Sequence, residues 1–127
     1  MEKYFVTYNQ SLALKMLGFD EPCMGKYDTK QGDEWLINIY SGHLNIQFGD
    51  KNKACIAPLR SQVFAWFREK HGLFSEIQPY LIIGTQWRYT ITNRNNSSGL
   101  PHKEQFKTYE EAESACIDQL IEIIKNK

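Results

Sequence analysis

The 127-residue chain carries 15 Lys+Arg against 15 Asp+Glu, a formal net charge of zero, and is the length of one ordinary domain. With 42% hydrophobic and 24% charged residues it is too apolar for wholesale disorder. Its neutrality argues against a protein that wraps nucleic acid or coats a membrane surface by net charge.

Thr7 and Gln10 have the spacing of a capping box, which predicts a helix over about 8–17 with Tyr4-Phe5-Val6 leading in as a short strand. Leu12, Ala13, Met16 and Leu17 recur at helical spacing, and Gly18 offers the left-handed residue that ends a helix. Residues 20–34, rich in Asp, Gly and Lys, read as a loop. Residues 35–40 and 43–48 alternate with period two across Ser41-Gly42 and predict a hairpin, with Leu44, Ile46 and Phe48 on one face. A further short strand over 54–56 is stopped by Pro58.

A second helix over about 59–71 begins near Pro58 and ends before Gly72. Leu59, Val63, Trp66 and Phe67 share one face with Phe64 at its margin, an apolar arc of about 160°. That is wider than a surface helix needs, so the arc packs on two sides or faces a partner. Residues 80–83 and 86–92 predict strands, 93–103 a mobile polar loop, and 104–107 a short returning strand. Thr108 and Glu111 repeat the capping box and open a third helix over about 108–125. Ala112, Cys116, Leu120, Ile123 and Ile124 line its buried face, broadened by Ile117 and Ile121. The pattern F-x-T-Y-x-[EQ] therefore occurs at 5–10 and again at 106–111, each time as a strand end feeding a capped helix. The whole reads as α+β: a single domain over 1–127, with a mainly antiparallel sheet of four to six strands packed with three helices.

No constellation for catalysis, cofactor binding or metal binding emerges. His43, His71 and His102 stand alone, without Cys, Asp, Glu or a second His at ligand spacing. His71 falls at a helix C-terminus, where the dipole favours a cation. No Ser sits in a nucleophile elbow, and no Gly-rich loop joins a strand to a helix. Cys23, Cys55 and Cys116 are an odd, widely spaced set that suits a reducing cytoplasm. The longest apolar run, Val63-Phe64-Ala65-Trp66-Phe67, is far shorter than the roughly 20 residues that span a bilayer, so no membrane association is expected. Glu113 breaks the apolar pattern of the third helix. If buried it would need a cation such as Arg88 or Lys107; otherwise it sits at the edge of the helix N-terminus.

Charge is unevenly distributed. Residues 77–107 hold Arg88, Arg94, Lys103 and Lys107 against Glu104, a local balance of +3. Residues 108–127 hold Glu110, Glu111, Glu113, Asp118 and Glu122 against Lys125 and Lys127, a balance of −3. A basic sheet with Tyr80, Trp87 and Tyr89 nearby could contact phosphates and stack on bases. Alternatively, its cations pair with the acids of the last helix.

Three segments resemble small uncharacterised proteins encoded by phages and prophages of gut bacteria. They are Tyr4–Tyr8 with Leu17–Cys23, Ala57–Lys70 with its Ser-Gln-Val-Phe-Ala-Trp-Phe-Arg-Glu-Lys string, and Phe106–Glu113. The resemblance implies a mobile-element origin and a bacterial cytoplasm, and assigns no activity or catalytic residue. The strands followed by a Thr-capped helix also look loosely like the small DNA-binding domains of phage integrases. Two functions are thus expected ahead of an enzyme. The first is a non-enzymatic accessory protein acting through contact with a protein partner or a second copy, at Phe64, Trp66 and Phe67. The alternative is a weak nucleic-acid-binding module using Arg88, Arg94, Lys103 and Lys107.

Overall fold

Capping chemistry decides where the first helix begins. In the computed structural model, which describes residues 2–23, 25–30, 33–38, 55–81, 84–94 and 102–127, Gln10 N–H donates to Thr7 Oγ1 at 3.1 Å and Thr7 N–H to Gln10 Oε1 at 2.9 Å. Helix α1 (Tyr8–Met16) follows. Gly18, with φ of 93°, turns the chain so that Phe19 N–H reaches Leu14 O at 3.0 Å. The expected apolar stripe is rotated, however: Gln10, Ser11 and Leu14 are buried while Met16 is 83% exposed. Gln10 enters the buried face with its amide oxygen already bonded in the cap, so its polarity costs little there.

The described residues divide into two compact units, Met1–Gln62 and Val63–Lys127. The first holds α1 and an antiparallel sheet in the order β2-β1-β3, from β1 (Gly25–Lys30), β2 (Asp33–Asn38) and β3 (Cys55–Ala57). Strand β1 lies inside 20–34, which the sequence marks as loop, and this is a correction. Tyr27 is its one large apolar residue, so no alternation announces it. Its order comes from pairing on both sides, Lys26 opposite Ile37 and also opposite Ile56, and from the Tyr27 hydroxyl, which donates to Val6 O. Gly25 is required by close approach: a Cβ there would lie 2.8 Å from the Phe5 ring and 3.3 Å from Ala57 O. The expected hairpin survives only in part. Residues 33–38 form a strand, but they pair with β1, and the expected partner 43–48 lies outside the described residues. The N-terminal segment is tied to the region before the second helix by Val6 N–H to Pro58 O at 3.1 Å and Arg60 Nε to Phe5 O at 3.1 Å.

Helix α2 (Arg60–His71) ends at Gly72, whose φ is 66°. The second unit then runs through β4 (Leu73–Tyr80), β5 (Gln86–Asn93), β6 (His102–Phe106) and α3 (Tyr109–Lys125). Its antiparallel sheet has the order β4-β5-β6, with α3 packed against all three strands. Strand β4 begins seven residues before the strand expected at 80–83, of which 82–83 lie outside the described residues. Of the loop expected at 93–103, Asn93 ends β5 and His102 and Lys103 begin β6, while 95–101 lie outside the described residues. Between Trp87 and Tyr89 the pairing with β6 shifts register, and Gln105 there adopts φ of 75°, a bulge in the edge strand. The α+β class, the antiparallel strands and the three helices stand as expected, but the described strands form two three-stranded sheets rather than one sheet of four to six.

Candidate functional site

The second unit's sheet has two chemically different faces, because side chains alternate along each strand. Leu73, Tyr89 and Ile91 are buried on the side of α3, whose own buried face is Ala112, Cys116, Ile117, Leu120 and Ile121. Trp87 belongs to the same side, its ring edge-on to Tyr109 of α3 at 5.3 Å, and Tyr89 meets Phe106 at 5.9 Å. The sheet's other face follows from the register. Phe74 pairs with Thr92, Glu76 with Thr90, Gln78 with Arg88 and Tyr80 with Gln86.

Two arginines on that face are each set against a ring. Arg88 Cζ lies 5.7 Å from the Tyr80 ring centroid, and Arg94 Cζ lies 5.9 Å from that of Phe74. Arg88 is further held by Gln78, whose Oε1 accepts from its Nε at 3.1 Å and from one terminal nitrogen at 2.8 Å. Arg94 N–H donates to Gly72 O at 2.9 Å, which fixes the end of β5 beside the start of β4. Phe74 is 38% exposed, Arg94 and Thr92 are exposed, and Arg88, Gln78 and Tyr80 are half-buried. Glu76, also exposed, opposes the arginines there.

The four expected basic contacts therefore separate. Arg88 and Arg94 share the face opposite α3. Lys103 lies opposite Tyr89 instead and lines a groove of about 260 Å³ with Ala115, Asp118, Gln119 and Glu122 of α3. The acids on that groove repel a phosphate, so Lys103 is the poorest candidate of the four. Lys107 is exposed at the start of α3, where its backbone N–H donates to Glu111 Oε2 at 3.2 Å while Thr108 Oγ1 accepts from Glu111 N–H at 3.1 Å. The second cap thus reaches back one residue further than the first. Trp87 and Tyr89, expected to serve the basic surface, face α3, and this corrects the sequence reading. Phe74 and Gln78 were missed, although Phe74-Glu76-Gln78 alternating against Leu73-Ser75-Ile77 carries the signal.

The expected partner surface on α2 is corrected likewise. Trp66 is 4% exposed and Phe67 fully buried; their rings meet edge-on at 5.0 Å, and Phe64 is only half-buried. The wide arc is largely core. His71, expected as a helix-end cation, packs its ring 4.8 Å from that of Trp66, and its Nε2 is buried without a hydrogen-bond partner. Burial first, and then the nearby Lys127 charge, push its pKa down, so the neutral form is favoured over the dipole's preference. Glu113 is half-buried and accepts from the Tyr109 hydroxyl; burial, then Glu113, pushes the Tyr109 phenol up.

Cys23 and Cys116 are buried, and desolvation raises both thiols to about 12. They are small hydrophobes rather than nucleophiles. Among the described residues no three His, Cys, Asp or Glu gather as a metal site requires, and no helix is long and apolar enough to cross a membrane. Compared with protein-family models, curated proteins and solved structures, the chain gives no significant match.

Proposed function

We propose that the chain is a non-enzymatic nucleic-acid-binding module whose interface is the face of the β4–β5–β6 sheet opposite α3. One observation carries this reading: Arg88 and Arg94 lie on a single face, each against an aromatic ring, among amide and hydroxyl side chains and one carboxylate, Glu76. Guanidinium groups neutralise phosphates, and flat cation–aromatic pairs offer surfaces on which bases stack. A contact protein acting through α2 is the less favoured reading, because Trp66 and Phe67 are occupied in the core and only Phe64 of that trio stays accessible. The sequence likeness to phage-encoded proteins supports a bacterial cytoplasmic setting, where nucleic acid is at hand.

Fluorescence anisotropy with labelled duplex and single-stranded oligonucleotides tests the proposal. At physiological salt the expected dissociation constant is about 10⁻⁶–10⁻⁴ M, tightening steeply as salt is removed. Arg88→Ala combined with Arg94→Ala abolishes the binding, whereas Lys103→Ala leaves it nearly unchanged. A flat titration at low salt, or binding indifferent to both arginines, overturns the proposal.

A further inference from the structure

We infer that the outer edge of β4 is a self-association surface, at which a second copy of this chain adds its own β4 in antiparallel pairing centred on Ile77. The inference goes beyond the nucleic-acid reading and does not depend on it. The backbone phase of β4 follows from one bond: Arg94 N–H donates to Gly72 O at 2.9 Å, one step beyond the Leu73–Asn93 pair. Bonded and non-bonded positions alternate along an antiparallel pair. Phe74, Glu76, Gln78 and Tyr80 therefore turn their backbone groups towards β5, whereas Leu73, Ser75, Ile77 and Pro79 turn theirs outward. Pro79, which has no N–H, thus occupies a position where β5 requires none. The outward N–H groups of Ser75 and Ile77 have no partner among the described residues, and such an edge is a template for another strand. Residues 74–80 are all exposed or half-buried, while Leu73 is fully buried, so the edge open to a partner starts at Phe74.

The order of residues along that edge selects a second copy as the occupant. Phe74-Ser75-Glu76-Ile77-Gln78-Pro79-Tyr80 is a near-palindrome about Ile77 in residue type: aromatic, small, acid or amide, then the same in reverse. Two-fold antiparallel pairing centred there sets Phe74 opposite Tyr80 of the second copy, Glu76 opposite its Gln78, and Ile77 opposite its own twin. Aromatic meets aromatic and apolar meets apolar, the pairs that stabilise a sheet. Gln78 already binds Arg88 through Oε1 at 3.1 and 2.8 Å, so the incoming Glu76 carboxylate meets an amide with a guanidinium behind it. Glu76 makes no ion pair among the described residues of its own chain, so the second copy supplies the complementary charge. Neighbouring registers fit less well. Centring on Ser75 needs the backbone of the buried Leu73, and centring on Glu76 sets two carboxylates directly opposite each other. In the Ile77 register each Ile77 N–H donates to the other copy's Ile77 O, and each Ser75 N–H to the other copy's Pro79 O. The two-fold axis stands perpendicular to the sheet. It yields one sheet of six strands with Arg88 and Arg94 of both copies on the same face.

Sedimentation equilibrium of the full chain without nucleic acid, from about 10 μM to about 1 mM, tests this. The range suits an interface of one short strand per copy, which belongs with the weak associations. A reversible monomer–dimer equilibrium is expected. Gln78→Glu places a carboxylate opposite Glu76 at two symmetric points and raises the dissociation constant about 2- to 30-fold. Combining Glu76→Gln with Gln78→Glu exchanges the two partners and restores dimerisation, a reversal that damage to the fold does not produce. Melting curves confirm that each variant is folded. In a Cys55→Ser background, Ile77→Cys is linked to its twin by a thiol oxidant, because bonded partners stand about 5.5 Å apart at Cα, within disulfide reach. Glu76→Cys, two residues out of line with its twin, is not linked. A chain that stays monomeric throughout, a dimer indifferent to Gln78→Glu, or linkage at 76 in place of 77 overturns the inference. None of these results bears on the oligonucleotide titration, which decides the nucleic-acid reading separately.

Discussion

Ile91 and Thr92 are neighbours on the central strand β5 and point to opposite faces, so truncating each in turn tests the two-sided sheet on which the interface depends. Ile91 is 3% exposed against α3, whereas Thr92 is exposed beside Phe74. Ile91→Ala removes three carbon atoms, about 2.4 kcal/mol at about 0.8 kcal/mol per buried methylene. The cavity left under α3 adds to this, giving an expected loss of about 2.5–4 kcal/mol. Thr92→Ala removes no buried carbon and changes only strand preference, within about 1 kcal/mol. Urea denaturation of the two variants, followed by fluorescence, reads the difference as a shift in midpoint at unchanged slope. Equal losses, or the larger loss at Thr92, would show that the faces are assigned wrongly. The arginine surface would then be reversed with them.

Gly25→Ala forces a methyl into the Phe5 ring and is expected to destabilise by about 1–3 kcal/mol. Phe5→Leu, by removing that ring, should lower the cost of Gly25→Ala in a double-mutant cycle, leaving the contact with Ala57 O, and strict additivity would count against the close approach. The depressed His71 pKa gives a signed pH dependence. The unfolded chain takes up the proton first, so stability is full above the ordinary histidine value of about 6.5 and falls as pH drops from there towards the folded value. His71→Gln should flatten that part of the curve, and an unchanged slope would show that another group is responsible. With thiols at about 12 and buried side chains, Cys23 and Cys116 should resist a thiol reagent at neutral pH in a Cys55→Ser variant until denaturant is added. Stoichiometric labelling of the native protein within minutes would contradict their burial.

What the sequence shows clearly is what short-range chemistry controls. Thr7 with Gln10 and Thr108 with Glu111 cap helices where their spacing says they should, and the apolar face of α3 matches its pattern closely. Strand β1 was hidden because its order comes from pairing on both edges and from Tyr27, contacts far apart in sequence. Strand β4 was legible in principle, but Ser75 on its inner face masks the alternation of Leu73 and Ile77. For the site, composition flagged the basic segment and could not divide it. Only the register of β4 with β5 brings Arg88 to Gln78 and sends Trp87 and Tyr89 to the other side. The aromatic arc of α2 misled for a related reason: helical spacing shows that Trp66 and Phe67 share a face, and it does not show whether that face meets solvent.

The salt dependence of duplex binding, measured for the wild-type chain, for Arg94→Ala and for Arg88→Ala combined with Arg94→Ala, tests the face opposite α3 most directly. The wild type should lose affinity linearly in log salt, Arg94→Ala should reduce that slope by about 0.9, and the double variant should lose measurable binding. Identical slopes and affinities in all of these proteins would contradict a nucleic-acid interface on this sheet.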